Sequence, residues 1–127
     1  HMKQMVMNGL NRRAVADIAA DVVKLGFNCV RMPFSLDLVY QNLTKVPDAS
    51  KSLAANPNLQ HLPPLQVFDA SVNALTDAGL LVILNNHISS AGWCCDDFDG
   101  EGLWYTSAYP EEYFFDALAS MARRYKG

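Results

Sequence analysis

The fold is decided at residues 77–87, which read DAGLLVILNNH. Before this stretch, after Pro63-Pro64, lies a stripe of apolar residues at helical spacing: Leu65, Phe68, Val72 and Leu75. Gly79 is expected to end that helix, and residues 80–85 follow as a strand whose first five residues, 80–84, are all apolar. A run that is apolar at every position, rather than at every second one, indicates a parallel strand buried on both faces. Residues 63–87 therefore predict a helix, a glycine stop and a buried strand.

The same order of elements occurs earlier in the chain. Residues 13–25 carry an apolar helical stripe, with Asn11 as the expected N-cap, and Gly26 ends it. Residues 27–34, which read FNCVRMPF, then form a second strand-sized run. A third helix is expected from Pro110 to about Arg124, with Phe114, Leu118 and Met121 as its buried stripe. This succession predicts an α/β fold with right-handed crossovers.

Two long connections follow the predicted strands, whereas each connection from helix to strand is a single glycine. Residues 35–62 are expected to contain one short helical turn near Leu36–Tyr40 and are otherwise polar, and residues 87–109 form the second connection. In parallel α/β folds, ligand sites gather on the side where the strands end. The long connections therefore indicate the functional face.

The length, composition and net charge of the chain limit the classes of protein to which it can belong. The chain has 127 residues, 50% hydrophobic and 18% charged, with a net charge of −3, which predicts a single globular domain over residues 1–127. The pI near 5.4 and the lack of a basic stripe argue against a nucleic-acid partner. No apolar run approaches the roughly 18 residues of a membrane span, so no membrane partner is expected. His1-Met2 is expected to be a cloning remnant, and the residues predict no cellular compartment.

Four polar or aromatic residues are candidate binding residues: Arg31 near the end of the first strand, Asn86 and His87 at the end of the second, and Trp93 in the connection that follows. Amides and a neutral imidazole suit a hydroxyl-rich ligand, and aromatic rings stack on sugars. The alternatives are that Arg31 points into water and that Asn86 and His87 only begin a loop. Trp104, farther along the second connection, is expected to pack that loop onto the fold.

No metal or cofactor is expected. The acidic run at residues 96–101 lacks the ligand register of a calcium loop and is predicted to be a solvated turn. His87, Cys94 and Cys95 lack zinc-site spacing, and the chain has no phosphate-binding or dinucleotide-binding motif. Its three cysteines, with Cys29 in an apolar run, are expected to be reduced thiols.

Taken together, LGFNCVRMPFS at residues 25–35 and DAGLLVILNNH at residues 77–87 resemble glycoside hydrolase family 5, the cellulase family. The resemblance runs from about Gly9 to the C-terminus. It implies a (β/α)₈ barrel that cleaves β-glycosidic bonds with retention, using an acid/base glutamate and a nucleophilic glutamate about 5 Å apart. It also implies that Arg31 supports the nucleophile, that His87 contacts the sugar beside the scissile bond and, more loosely, that Trp93 is a cleft aromatic. The family is typically secreted.

The chain departs from that family pattern at the catalytic positions. The acid/base glutamate of the family follows an asparagine at the end of the fourth strand, and this chain has no Asn-Glu pair. Its three glutamates are Glu101, Glu111 and Glu112, none of which ends a predicted strand. A full barrel takes about 250 residues, so the chain is predicted to be an N-terminal partial barrel with two to three parallel strands, about three helices and no catalytic residue.

Open strand edges predict self-association, with copies pairing or swapping elements into a homo-oligomer. The expected function is that of a fragment of a retaining β-glycosidase, acting on β-glucans or β-glucosides, that is inactive alone. Two alternatives remain: a glycan-binding or structural oligomerising module, and a minimal glycosidase that uses the carboxylates of residues 96–101. A β-linked oligosaccharide is the candidate ligand besides a second copy.

Overall fold

The computed structural model describes residues 6–92, 94 and 96–126. Within them lie five α-helices, one 3₁₀ turn at Pro57–Leu59 and two strands. In chain order the elements are α1 (Val15–Lys24), β1 (Cys29–Ser35), α2 (Leu36–Tyr40), α3 (Ala49–Ser52), α4 (Pro64–Asp77), β2 (Leu81–Ile88) and α5 (Glu111–Arg124). The two strands pair in one parallel sheet. This confirms the α/β fold class.

The chain divides into two compact units. The first, called the strand-end unit, contains Pro33–Gln41 and Leu84–Gly127, and so holds the C-terminal ends of both strands with α2 and α5. The second, called the helical unit, contains Met5–Met32 and Asn42–Ile83, with α1, α3 and α4.

The hydrophobic core of the helical unit is a cluster of five buried residues: Leu10, Val46, Leu53, Leu59 and Val67. Val15 and Ile18 of α1 and Ala70 of α4 pack against it. Leu53 and Leu59 come from the connection predicted to be polar, where they follow α3 and end the 3₁₀ turn. These two short elements were not predicted because neither is long enough to show a periodic apolar pattern.

Helix α1 receives its N-terminal cap from a distant residue. It begins at Val15, and its N-cap position, Ala14, has no capping side chain. Asn56 provides the cap instead, since its Oδ1 accepts a hydrogen bond from the Val15 N–H at 2.9 Å. The prediction of Asn11 as the cap is therefore wrong, because a residue 41 positions away satisfies that amide.

Helices α1 and α4 end in the same way, in the Schellman pattern. The Gly26 N–H donates to the Val23 carbonyl and the Phe27 N–H donates to the Val22 carbonyl. At the end of α4, the Gly79 N–H donates to Thr76 and the Leu80 N–H to Leu75. Both glycines have a positive φ, 86° and 84°, which a residue without Cβ adopts at no steric cost. The predicted glycine stops are confirmed.

The predicted burial of both strand faces is wrong for this chain. On β2, Leu81 and Ile83 are 71% and 55% exposed. On β1, Met32 and Phe34 are buried, whereas Arg31 and Pro33, which alternate with them, are exposed. The physical reason is that the sheet of the described residues has only two strands. None of these residues covers the side chains of Leu81 and Ile83.

The third predicted helix is present as α5, with a shifted buried stripe. Ala117 and Met121 are buried, while Leu118 is 37% exposed. Its Glu111 and Glu112 lie in the first turn, where they complement the positive end of the helix. None of the described helices is long and apolar enough to cross a bilayer.

Candidate functional site

The three polar side chains near the end of β2, those of Asn85, Asn86 and His87, lie on two different faces of the sheet. Successive residues of a strand point to opposite faces, so Asn85 and His87 share one face and Asn86 lies on the other. The His87 side chain is exposed. The Asn85 Nδ2 donates to the Asn86 carbonyl at 2.6 Å. His87 is thus available to a ligand from one side of the sheet.

Asn86 carries a buried amide nitrogen without a partner. Its Nδ2 is buried from solvent and donates no hydrogen bond to any of the described residues. A buried N–H group that is left unpaired costs about 1–3 kcal/mol, so native folds rarely leave one. Within the part of the chain that the structure describes, Asn86 therefore carries an unsatisfied hydrogen-bond donor.

The other two candidate residues have different settings. Arg31 is the third residue of β1, lies in the helical unit and is exposed. β1 continues to Ser35, so Arg31 lies inside the strand rather than near its end. Trp93 lies outside the described residues. Asn86 and His87 therefore lie in the strand-end unit, and Arg31 lies in the helical unit.

A buried carboxylate holds the connection that follows β2. Asp37, in the first turn of α2, is 2% exposed. Its Oδ2 accepts a hydrogen bond from the Ala91 N–H at 2.8 Å, and its Oδ1 accepts one from the Tyr109 hydroxyl at 2.5 Å. The Asp37 N–H in turn donates to the Ser89 carbonyl at 3.0 Å. Sequence reasoning missed Asp37, whose only local signal is that of an acidic residue in a helix first turn.

The environment of Tyr109 keeps its phenol neutral. Burial raises the pKa of Tyr109 to about 12, and the hydrogen bond to Asp37 and the negative charge of Asp37 act in the same direction. A hydrogen bond with Gln41 opposes the shift, and the charge of Glu101 adds to it. Tyr109 therefore acts as a permanent hydrogen-bond donor to Asp37 near neutral pH.

Carboxylates of the acidic run at residues 96–101 accept hydrogen bonds from backbone amides, both within the run and at Ser89 and Ser90. Glu101 accepts two hydrogen bonds, from the Ser89 N–H at 2.8 Å and from the Ser90 N–H at 3.0 Å. Asp96 accepts from the Phe98 N–H, and Asp99 accepts from the Glu101 N–H. Over residues 6–92, 94 and 96–126, no group of three or more His, Cys, Asp or Glu side chains is placed to hold a metal ion.

Three tyrosines form an aromatic cluster beside Asp37. Tyr40 and Tyr113 meet edge to face with ring centroids 4.9 Å apart, and the Tyr40 hydroxyl donates to the Tyr113 carbonyl at 3.0 Å. Tyr109 packs on both rings, at 6.1 Å from Tyr40 and 5.7 Å from Tyr113. Burial, followed by the charge of Asp116, raises the pKa of Tyr40. The cluster joins α2 to the start of α5, and no periodic pattern in the sequence signals it.

Exposed aromatic rings lie on the same connection. Trp104 is 49% exposed and Tyr105 42% exposed, and their rings meet edge to face at 5.5 Å. The Trp104 Nε1 donates to the Glu111 Oε1 at 3.0 Å, which orients the indole. Trp104 thus contacts the start of α5 through one hydrogen bond and leaves about half of its surface open.

The cysteines differ from one another. Cys94 is disulfide-bonded, so the expectation of a reduced thiol is wrong at this position. Cys29, at the start of β1, is a free thiol.

Comparison with known proteins shows which family this chain is similar to. A family model of cellulases (glycosyl hydrolase family 5) matches residues 2–127. A glycosyl hydrolase 5 family protein of Chamaecyparis obtusa is 33% identical over 96% of this chain and 24% of its own length. An endoglucanase of Paenibacillus polymyxa is 32% identical over 94% of this chain and 28% of its own length. The chain spans about a quarter of the length of these relatives.

Solved structures give the same result for the fold. A complex of the Pyrococcus horikoshii endocellulase with cellotetraose is similar with a TM-score of 0.75 at 30% identity, over 94% of this chain and 29% of that chain. The catalytic domain of the major Xanthomonas campestris pv. campestris endoglucanase gives a TM-score of 0.75 at 31% identity, over 94% and 32%. The two strands and their helices therefore correspond to part of a cellulase barrel.

Proposed function

Since the chain belongs to glycosyl hydrolase family 5, the cellulase family, and folds as part of its barrel, we propose that it contributes part of the sugar cleft of a retaining β-glycosidase acting on β-linked glucans. The relatives named above as endoglucanases and an endocellulase support this substrate class. So does the polar end of β2, because its side chains offer hydrogen bonds of the kind that sugar hydroxyls use.

The observation that carries the proposal is the exposed His87 at the C-terminal end of a parallel strand. Ligand chemistry in barrels of this kind gathers at that end of the strands. An imidazole can donate to one hydroxyl and accept from another. Arg31 and Asn86 are the further proposed cleft residues, with Trp93 as the proposed stacking ring.

A cello-oligosaccharide titration tests the binding function. The chain is titrated with cellotetraose and followed by NMR, alongside His87→Ala and the matched control His61→Ala, which removes another exposed histidine. We expect His87→Ala to weaken binding about tenfold, the effect of losing one or two hydrogen bonds, and the control to bind like the original chain. Equal affinities for all three would contradict the role of His87.

We expect no catalysis by the chain alone, because two of its three glutamates have other partners. Glu101 holds two backbone amides, and Glu111 holds the Trp104 indole at the start of α5. Retaining hydrolysis requires two carboxyl groups facing each other about 5 Å apart. Release of reducing sugar from cellulose and of the phenol from an aryl cellobioside measures this, and the expected rate equals that without protein. Turnover that is lost in Glu101→Gln would instead favour a minimal glycosidase.

A structural role as a self-associating module is the second candidate, favoured by one observation. The helical unit leaves several large apolar side chains open: Val23, Leu25, Phe27, Leu81 and Ile83, each between 44% and 73% exposed. A soluble monomer rarely shows so many large apolar groups in one region. We propose that a second copy of the chain covers them. Failure to bind cellotetraose, together with oligomer formation, would favour this function over the first.

A further inference from the structure

One buried carboxylate ties both ends of the connection between β2 and α5. We call Ser89–Tyr109 the cleft loop. Asp37 holds the beginning of this loop through the Ala91 N–H and its end through the Tyr109 hydroxyl. The two donors are 18 positions apart in the chain, yet they meet the two oxygens of one side chain. Both ends of the loop are therefore held from α2.

The middle of the cleft loop is hydrogen-bonded to the beginning of the loop. Glu101 accepts hydrogen bonds from the N–H groups of Ser89 and Ser90, the two residues before Ala91. The beginning, the middle and the end of the loop are thus joined through two carboxylates, and Asp37 is the one that is buried and lies outside the loop. Between these ties the loop presents Trp104 and Tyr105 with about half of each ring exposed.

We propose that Asp37 is a positioning residue that holds the cleft loop in the conformation in which its aromatic side chains meet a β-linked glucan. The identity of the ligand rests on the proposed function, whereas the positioning of the loop rests on the hydrogen bonds alone. An ionised carboxylate accepts from both donors and has no hydrogen of its own that would oppose either. An amide at this position offers one acceptor oxygen, so one of the two donors loses its partner.

The experiment compares Asp37→Asn and Tyr109→Phe with the matched control Tyr113→Phe, which removes a hydroxyl from the same ring cluster without touching Asp37. Amide hydrogen exchange of Ser90 and Ala91 reports the loop, and cellotetraose affinity reports the cleft. Hydrogen bonds to charged groups are strong, so we expect exchange in Asp37→Asn to rise about tenfold and affinity to fall about tenfold. Tyr109→Phe should shift both in the same direction, and the control should shift neither.

The sugar affinity separates positioning from a merely structural role, since it is measured at a temperature where every variant is folded by circular dichroism. Faster loop exchange with weaker binding supports the proposal. Unchanged loop exchange in Asp37→Asn, or faster exchange with unchanged affinity, overturns it. If the original chain binds no cellotetraose while loop exchange still rises in both variants, the sugar assignment fails and the positioning of the loop stands.

Discussion

At the residue scale, Asn56 shows how one buried amide can organise a segment of chain. Its Oδ1 caps α1 at Val15, while its Nδ2 donates to the Leu10 carbonyl at 2.7 Å and to the Arg13 carbonyl at 2.9 Å. The residue is 3% exposed, so water does not replace these bonds when the side chain is removed. The amide thus satisfies three backbone groups ahead of and within the first turn of α1.

Asn56→Ala is expected to lower the free energy of unfolding by about 2–4 kcal/mol, because it removes the partner of the Val15 N–H and of the Arg13 carbonyl and one of the two partners of the Leu10 carbonyl. Asn58→Ala is the matched control, since Asn58 is exposed and lies two residues away. It should change stability by less than about 0.5 kcal/mol. Urea unfolding followed by circular dichroism measures both, and equal stabilities of the two variants would contradict the role of Asn56.

Tyr109 is expected to make the stability of the strand-end unit depend on pH in the alkaline range. The pKa of Tyr109 is raised from its ordinary 10.0 to about 12, first by burial and then by Asp37. The folded state therefore favours the neutral phenol, and this contribution to stability is complete below pH 10 and is lost as pH rises from 10 to about 12. The difference in unfolding free energy between the original chain and Tyr109→Phe should stay constant up to pH 10 and shrink above it. A difference that persists unchanged to pH 12 would show that the phenol ionises alike in both states.

At the scale of elements, the sequence pattern predicted the helices that depend on neighbouring residues. It missed the hydrogen bonds that depend on residues far away in the chain. The short helix Leu36–Tyr40 and the third helix were predicted to within one residue, because caps and apolar spacing act over a single turn. The cap of α1 and the Asp37 ties were missed, since their partners lie 41, 54 and 72 positions away. Of the candidate site, the strand-end position of His87 was predictable, and the network that holds the cleft loop was not.

The junction from helix to strand occurs twice, and each time its glycine has a positive φ, which can be tested by substitution. A Cβ added at Gly79 would meet nothing within 4 Å, so the cost of Gly79→Ala is the strain of its positive φ alone. We expect a loss of about 1 kcal/mol in unfolding free energy. Gly102→Ala is the control, because that glycine also has open space but no positive φ, and it should be neutral or slightly stabilising. Thermal unfolding of both variants measures the contrast, and an equal effect would refute it.

At the scale of the whole molecule, the proposed self-association rests on the exposed apolar residues of β2. Leu81→Lys with Ile83→Lys places two charges on the open strand, a device that sheets use against edge pairing. Burial of two such side chains stabilises by about 3–6 kcal/mol, so the double variant should weaken association at least about a hundredfold. Sedimentation velocity measures this.

Phe98→Lys is the control for that experiment, since Phe98 is 95% exposed but lies in the cleft loop rather than on β2. It should associate like the original chain. An original chain that sediments as a monomer across micromolar concentrations would contradict self-association outright.

The capping of α1 by Asn56 also bears on the order in which the chain organises itself. Helix α1 is only 10 residues long, too short to persist by itself in water. Its first free amide finds a partner 41 positions later, after a long loop has closed. During synthesis α1 therefore emerges well before the residue that secures it. Its lasting formation belongs with the slower, non-local stage of folding, when the core of the helical unit assembles around it.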